Sequence, residues 1–189
     1  MDKKAHYFYA ISLPREVKEM LNEQMVDLKS KLSFKTWVHH EDLHITLAFL
    51  GHAPELKLKS SVELVKRNIV DCPSFTLTIH QLGVFGKQEF PRIFWADVQK
   101  EPLLDGVRKQ VFSSCLEAGF ELETRPFRPH ITFARKWVGD QPFTQQQLEN
   151  SNIFSKQPVT FTANEVVLYQ TNLDRIPKYE TIQTFPLSQ

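Results

Sequence analysis

Several common sequence features are scarce or missing in this chain of 189 residues. Its two cysteines, Cys72 and Cys115, do not form a CxxC pair, and its six glycines include no GxGxxG array and no phosphate-binding loop. A GxSxG elbow is also missing. These absences argue against the standard dinucleotide-binding, P-loop and serine-hydrolase sites. Two scattered cysteines are typical of a reduced, cytoplasmic protein, in which they pack as small apolar groups.

Long hydrophobic runs and a strong net charge are missing as well. No stretch approaches the roughly 20 apolar residues of a membrane span, and the first residues, Met1 to His6, lack the apolar run of a signal peptide. The net charge is +1, so any binding of RNA or nucleotides must be local. We therefore expect no membrane partner. The length predicts a single domain over residues 1–189, or two small lobes that share a core, and the 41% hydrophobic content is enough for a packed interior.

One short motif occurs twice, as HITL at residues 44–47 and as HITF at residues 130–133. Both copies have the β-branched, alternating character of a strand. Because residues i and i+2 of a strand point to the same face, each copy presents a histidine beside a threonine. The four candidate site residues are His44, Thr46, His130 and Thr132.

The repeat extends beyond the motif. A shift of 86 residues also aligns FYA at residues 8–10 with FWA at residues 94–96. Between strand and motif, each copy has the spacing of an amphipathic helix, over Arg15–Leu32 and Leu103–Ala118. We interpret this as a duplicated strand–helix–strand unit with approximate twofold symmetry and no net insertion. A chance coincidence of two similar segments is the alternative.

The order of elements predicts an α+β fold built from duplicated β-α-β units, with antiparallel or mixed sheets. A further helix is predicted over Glu55–Val70, a turn at Gly83 and Gly86, and a short turn or helix within residues 142–150. Strands are predicted over Tyr7–Leu13, His44–Leu50, Phe75–His80, Ile93–Val98, Arg128–Arg135, Val166–Tyr169 and Tyr179–Phe185, with another at Phe161.

Two histidine–threonine pairs are suited to acid–base chemistry on a phosphate. A histidine side chain titrates near pH 6.5, so one imidazole can accept a proton while the other donates one. Each role typically contributes about 10²–10⁴-fold to a rate. Threonine hydroxyls can donate hydrogen bonds to phosphoryl oxygens as negative charge builds there.

A basic cluster lies around the second motif. It comprises Arg125, Arg128, Arg135 and Lys136. Arginine is the residue suited to bidentate phosphate contact. Strict alternation would send Arg135, five positions after His130, to the opposite face, so it needs a strand end or a bulge to join the site. A solvated charged face is the alternative for the cluster.

A dense polar run precedes the first motif and is an alternative metal site. The HExxH spacing and paired cysteines of common zinc sites are missing, so a turn leading into the strand is the preferred interpretation, and no metal is expected. The run contains His39, His40, Glu41, Asp42 and His44.

Five segments of the chain resemble the two-histidine (2H) phosphoesterase superfamily, and within it the bacterial RNA 2′,3′-cyclic phosphodiesterase family, also called LigT-like. They cover nearly the full chain. The segments are YFYAISLP (7–14), DLHITLAFLG (42–51), PRIFWADV (91–98), RPFRPHITFAR (125–135) and VVLYQTNLDRIPKYETI (166–182).

The resemblance implies a bilobal fold with the active site in a central cleft. It also implies metal- and cofactor-free hydrolysis of RNA 2′,3′-cyclic phosphate ends to 2′-phosphomonoesters, on RNA or on nucleotides. By position, His44 would be the proton donor to the leaving 3′-oxygen and His130 the base that activates water. Thr46 and Thr132 would hold phosphate oxygens, and Arg135 matches a basic position after the second motif.

Three other interpretations stay open at this stage. The same site could join a 2′,3′-cyclic phosphate to a 5′-hydroxyl, or the chain could be a non-catalytic module that binds nucleotides or RNA ends. Histidine-triad hydrolases fit less well, because they need several histidines on one strand.

Phe8, Tyr9 or Trp37 could stack a terminal base, although packing in the core is favoured for each. No interface stripe is apparent, so a monomer is expected.

Overall fold

The structure is a computed structural model that describes residues 5–188. Residues 1–4 belong to the segment in which the sequence indicates no signal peptide, and they lie outside the described residues. Among the described residues, no helix is both long and apolar enough to cross a membrane.

Within residues 5–188, nine strands and four helices make up the fold. Two short 3₁₀ segments, His40–Asp42 and Ile153–Ser155, complete it. The helices are α1 (Arg15–Lys31), α2 (Glu55–Ile69), α3 (Pro102–Glu117) and α4 (Gln145–Ser151). The strands are β1 (His6–Ser12), β2 (Phe34–Trp37), β3 (His44–His52), β4 (Phe75–Gly86), β5 (Pro91–Val98), β6 (His130–Trp137), β7 (Val159–Ala163), β8 (Glu165–Thr171) and β9 (Tyr179–Pro186).

All nine strands belong to one sheet, in the order β7-β4-β5-β6-β3-β1-β8-β9, with β2 paired to β6 off this path. Each pairing between these strands is antiparallel. The order is symmetric about the β6–β3 boundary, where the two motif strands meet. The α+β class and the duplication are confirmed, but the sheet is antiparallel rather than mixed and runs unbroken through both halves.

The helices α1, α2 and α3 cover one face of the sheet. Helix α1 begins after Pro14 and buries Val17, Leu21 and Leu28 at helical spacing. Helix α3 has proline in its first turn, and it ends before Gly119, whose φ of 87° is the left-handed conformation that glycine tolerates best. The opposite face carries a second, smaller apolar cluster that forms one wall of the candidate site. Its members are Phe8, Ala10, Val167 and Tyr169, with Tyr179 packed against them.

The structural repeat differs from the sequence repeat by one residue. Ser12 faces His44 across β1 and β3, whereas Asp97 faces His130 across β5 and β6. The first strands are therefore related by 85 residues and the motif strands by 86, because the second connection is one residue longer. The expectation of no net insertion is wrong. In consequence, Trp95 takes the place of Ala10 on the face of the site.

Two strands differ from the sequence prediction. Strand β2 was not predicted, since it has four residues and only Phe34 is buried. Strand β4 continues through Gly83, where a turn was predicted. Gly83 lies opposite Trp95 in the sheet, and a Cβ at Gly83 would lie 2.5 Å from the Trp95 ring. The glycine therefore makes room for a tryptophan on the neighbouring strand instead of marking a turn.

A glycine pair tests this packing. Gly83→Ala should lower the free energy of unfolding by about 1–3 kcal/mol, because the Trp95 ring is buried and stacked on Phe85 and cannot move away freely. Gly106→Ala is the control: its Cβ would meet nothing within 4 Å inside α3, and it should raise stability by about 0.5–1 kcal/mol. Urea unfolding of both variants measures the difference, and an equal effect of the two would contradict the proposed packing.

Candidate active site

The site is built where β3 and β6 meet. Ile45 pairs with Ile131, and both side chains are fully buried on the helix side of the sheet. In an antiparallel pair the next positions face each other in opposite order, so His44 lies across from Thr132 and Thr46 lies across from His130. The opposite face of the sheet therefore carries all four motif side chains, and each is half-buried.

The two imidazoles are held in the same way. The His44 Nδ1 lies 2.7 Å from the Asp42 main-chain oxygen, and the His130 Nδ1 lies 2.7 Å from the Arg128 main-chain oxygen. A carbonyl only accepts, so Nδ1 carries the proton in each ring, which leaves Nε2 of the neutral form as an acceptor. The His44 Nε2 lies 3.1 Å from the Thr46 Oγ1 and accepts from that hydroxyl. Both Nε2 atoms are thus the chemically available ones.

The electrostatics of the site keep both histidines neutral at pH 7 in the protein alone. Burial lowers the pKa of His44 to about 4, with His130, Arg135 and Lys18 adding to the effect and the bond to the Asp42 carbonyl opposing it. Burial also lowers the pKa of His130, helped by Arg135 and Arg128 and opposed by Asp97. The ordinary histidine pKa on which the sequence prediction was based therefore applies to neither ring in the free protein.

Aromatic rings form the walls around the two imidazoles. The ring of His44 lies 4.8 Å from Phe8 and 5.1 Å from Tyr179. The ring of His130 lies 5.0 Å from Phe85 and 5.9 Å from Trp95. These rings limit the contact of both imidazoles with solvent, which explains why burial dominates both pKa shifts.

Among the candidates for base stacking, Tyr9 belongs to the core. It is fully buried, and its hydroxyl is 2.9 Å from that of Ser61. Phe8 is 3% exposed and packs on His44, whereas Trp37 is half-buried beside the site.

A bulge brings Arg135 to the site. Phe94 pairs with Ala134 and Trp95 pairs with Thr132, so Phe133 is an extra residue in β6 and reverses the alternation after it. The Arg135 side chain then interacts with the Tyr179 hydroxyl, although burial is the larger influence and raises the pKa of that tyrosine.

The remaining members of the predicted basic cluster lie apart from these contacts or at their edge. Arg125 pairs with Glu123 on the surface, and Lys136 is exposed. The Arg128 guanidinium lies over the Phe85 ring, 5.4 Å from its centroid.

Asp42 holds the site together, whereas the sequence analysis assigned it only to a turn or a metal site. Asp42 is 4% exposed, and its carboxylate accepts backbone N–H groups from Lys178 (2.9 Å) and Tyr179 (3.0 Å), while its main-chain carbonyl accepts from the His44 ring. One residue thus ties the start of β9 to the first imidazole. Within residues 5–188, no group of three or more histidine, cysteine, aspartate or glutamate side chains is arranged to hold a metal ion. The metal interpretation of the 39–44 run therefore lacks a ligand cluster.

Comparison with known proteins places this chain in a family. The profile of the 2′-5′ RNA ligase superfamily matches residues 17–175. The chain belongs to this superfamily. The resemblance to the two-histidine phosphoesterases that the motifs indicated is therefore confirmed.

Two relatives are similar over nearly the whole of this chain. An RNA 2′,3′-cyclic phosphodiesterase of Bacillus subtilis is 33% identical, with 99% of each chain covered. One of Geobacillus stearothermophilus is 44% identical over 98% of this chain, which spans only 58% of the length of that relative. Crystal structures of Escherichia coli LigT with 3′-AMP and of TT0787 of Thermus thermophilus both give a TM-score of 0.77 at 25% identity. They cover 97% and 96% of this chain and 98% and 97% of their own chains, respectively.

The Asp42 contacts predict a large stability effect. Asp42→Ala removes the acceptor of two buried N–H groups and should lower the free energy of unfolding by about 3 kcal/mol. Asp27→Ala is the control, because Asp27 pairs with Lys31 on the surface, where such pairs contribute about 0–1 kcal/mol. Urea unfolding compares the variants. If Asp42→Ala lowered the free energy of unfolding no more than Asp27→Ala does, the hydrogen bonds of Asp42 at the start of β9 would not contribute to stability.

The burial of His44 predicts its titration. In NMR spectra of the free protein, the His44 ring should titrate near pH 4, with His44→Ala providing the assignment. The unfolded chain, with a histidine pKa of about 6.5, then binds more protons than the folded one between these values. The free energy of unfolding should therefore fall as the pH drops from about 6.5 to about 4. Titration of His44 at the ordinary histidine pKa would refute this effect of burial.

Proposed function

We propose that this protein hydrolyses the 2′,3′-cyclic phosphate at RNA 3′ ends to a 2′-phosphomonoester, without a metal ion. The observation that carries the proposal is the pairing of Ile45 with Ile131, which sets two histidine–threonine pairs across from each other on one face of the sheet. The relatives named RNA 2′,3′-cyclic phosphodiesterase support the substrate class. The monomeric state and the cytoplasmic location expected from the sequence stay predictions.

In the proposed reaction the two imidazoles act from opposite sides of the phosphorus. The Nε2 of His130 takes a proton from water, and the water oxygen bonds to phosphorus. The bond from phosphorus to the 3′-oxygen breaks, and the Nε2–H of protonated His44 supplies the proton to that oxygen. The phosphate remains on the 2′-oxygen, and exchange with solvent returns both rings to their starting states. The assignment of acid and base follows the family resemblance.

Hydrogen-bond donors around the phosphate supply the electrostatic part of the proposed catalysis. Thr46 and Thr132 are neutral donors on the same face as the imidazoles, and Arg135 adds a positive charge at its edge. Such donors stabilise the charge that builds on the phosphoryl oxygens in the transition state. Because aromatic rings wall the site and limit solvent, each of these interactions is stronger than in water.

Substrate binding resolves the difficulty of the lowered histidine pKa values. A proton donor must be protonated, yet both imidazoles are neutral in the free protein at pH 7. A cyclic phosphodiester carries a negative charge, and a negative charge nearby raises the pKa of an imidazole. The substrate therefore favours uptake of the proton that the acid needs.

The experiment is turnover of an RNA that ends in a 2′,3′-cyclic phosphate, with a chelator present. Full activity is expected with the chelator, and His44→Ala and His130→Ala should each reduce kcat by about 10²–10⁴-fold. The control is His52→Ala, at the exposed end of β3, which should keep the wild-type rate. The dependence of kcat on pH should be bell-shaped, since one imidazole must be neutral and the other charged.

Three results would overturn the proposal. Wild-type rates in both histidine variants would exclude paired acid–base catalysis. Loss of activity with chelator would require a metal, and tight binding of the RNA end without turnover would favour a binding module.

The superfamily is named for 2′-5′ RNA ligation, which makes the joining reaction the second candidate. A 5′-hydroxyl would replace water as the nucleophile, and the same base and acid would serve both reactions. Product analysis with excess 5′-hydroxyl RNA separates the two, because joining lengthens the RNA and hydrolysis does not.

A further inference from the structure

A groove of about 370 Å³ opens beside the site. Its walls come from α1, β2, the segment around His40 and the loop that precedes β9. The lining residues that matter for its chemistry are Val26, Lys29, Trp37, Arg135, Ile176 and Lys178.

The groove is continuous with the phosphate position. Arg135, Asp42 and Tyr179 all line it. The same three residues lie around His44: Arg135 helps to lower its pKa, the Asp42 carbonyl accepts from its Nδ1, and the Tyr179 ring packs against its ring. A substrate whose phosphate lies between the two imidazoles therefore has this groove on the Arg135 side.

The groove is locally cationic in a chain with a net charge of only +1. Lys29, Arg135 and Lys178 contribute three positive charges to its lining. Asp42 is the one acid among the described lining residues, and its carboxylate is already engaged by two backbone N–H groups. This charge concentration suits an anion with several phosphates.

Apolar surface is interleaved with these charges. Val26 is 65% exposed and Ile176 is 77% exposed, although both are large hydrophobic residues. Trp37 is half-buried in the same groove, and the rings of His39 and His40 lie 4.5 Å apart beside it. Cations together with rings and exposed apolar side chains are typical of surfaces that bind single-stranded nucleic acid by charge and stacking.

The opposite flank of the site is less suited to a polyanion. Beyond His130 the wall is made by Phe85 and Trp95, and Trp95 is only 6% exposed. Asp97 places a negative charge close to His130 on that side. Arg128 lies there too, but over the Phe85 and Trp95 rings.

We propose that the groove binds the RNA chain that leads up to the cyclic phosphate, that is, the nucleotides on its 5′ side. The proposal rests on the proposed function. Since a 3′-terminal cyclic phosphate ends the strand, the remaining chain has to leave the site in the 5′ direction. The cationic groove beside Arg135 gives that chain phosphate contacts and apolar surface, so the protein is selective for oligonucleotides over mononucleotides.

The test compares two substrates, a 2′,3′-cyclic mononucleotide and a short oligoribonucleotide that ends in a 2′,3′-cyclic phosphate. For the wild type, kcat/KM should be at least about tenfold higher for the oligonucleotide, the gain from one well-placed contact. Its KM should also rise more steeply with salt, by about 0.7 in log–log slope for each phosphate contact. Equal kcat/KM values and equal salt slopes would overturn the proposal.

Two groove variants, each with a matched control elsewhere, locate the contact. Lys29→Gln and Ile176→Asp should each raise KM for the oligonucleotide about fivefold, and leave both parameters for the mononucleotide within about twofold of wild type. Lys29→Gln should also reduce the salt slope by about 0.7. The controls are Lys109→Gln on α3 and Leu56→Asp on α2, exposed sites outside the groove that should leave both substrates unaffected.

The outcomes separate this inference from the proposed function. Groove variants that match their controls, or that affect both substrates equally, would overturn the groove as an RNA site. If the wild type turned over neither substrate, the proposed function would fail. RNA binding by the groove would then be tested by fluorescence anisotropy with a labelled oligoribonucleotide ending in a 2′-phosphate. Weaker binding of this RNA by Lys29→Gln than by Lys109→Gln would support the groove as an RNA site, and equal binding would overturn it.

Discussion

The pairing of Ile45 with Ile131 is the constraint on which the site depends. Both side chains are buried under the helices, and this fixes the register of the two motif strands. A slip of one residue would turn the imidazoles of His44 and His130 into the core and the isoleucines toward solvent, so burial of the isoleucines holds the histidines in place. The pairing of β3 with β6 is also short, since Ile45–Ile131 is its one residue pair in the described chain. Beyond this pair, β6 pairs with β2 instead of β3, which leaves space beside the site.

Within this symmetric frame the surroundings make the two histidines different. His44 is enclosed by Phe8, Tyr169 and Tyr179, and its pKa is lowered to about 4. His130 has Asp97 nearby, whose charge partly opposes the effect of burial on its pKa. His44, the proposed acid, therefore needs a nearby anion to hold a proton at neutral pH. Catalysis of this type therefore couples protonation to substrate binding, which limits the cost of keeping a charge in a buried site without substrate.

The sequence predicted the parts of this fold that depend on periodicity. The strand–helix–strand repeat, the motif strands and the helix ends at Pro14 and Gly119 follow from residue spacing and backbone preference. What it could not predict depends on tertiary contacts. The one-residue difference between the two connections can be seen only from the strand register. Gly83 resembles a turn glycine, and only its pairing with Trp95 shows why a glycine is needed there. Asp42 does not differ from its polar neighbours in the sequence, and its role depends on contacts with the start of β9. The need for a bulge before Arg135 was foreseeable, but its position at Phe133 was not.

The departures from symmetry also bear on the direction of the substrate. A perfectly twofold site would accept a cyclic phosphate in either orientation, and each imidazole would face the leaving oxygen half of the time. Strand β2 breaks that equivalence, because the corresponding stretch of the second half, residues 120–129, contains no strand. With β2 come Trp37 and one wall of the cationic groove, on the Arg135 flank alone. If the RNA chain lies in that groove, the ring of its terminal nucleotide is oriented before reaction, and the roles of His44 and His130 become fixed by the substrate that they share.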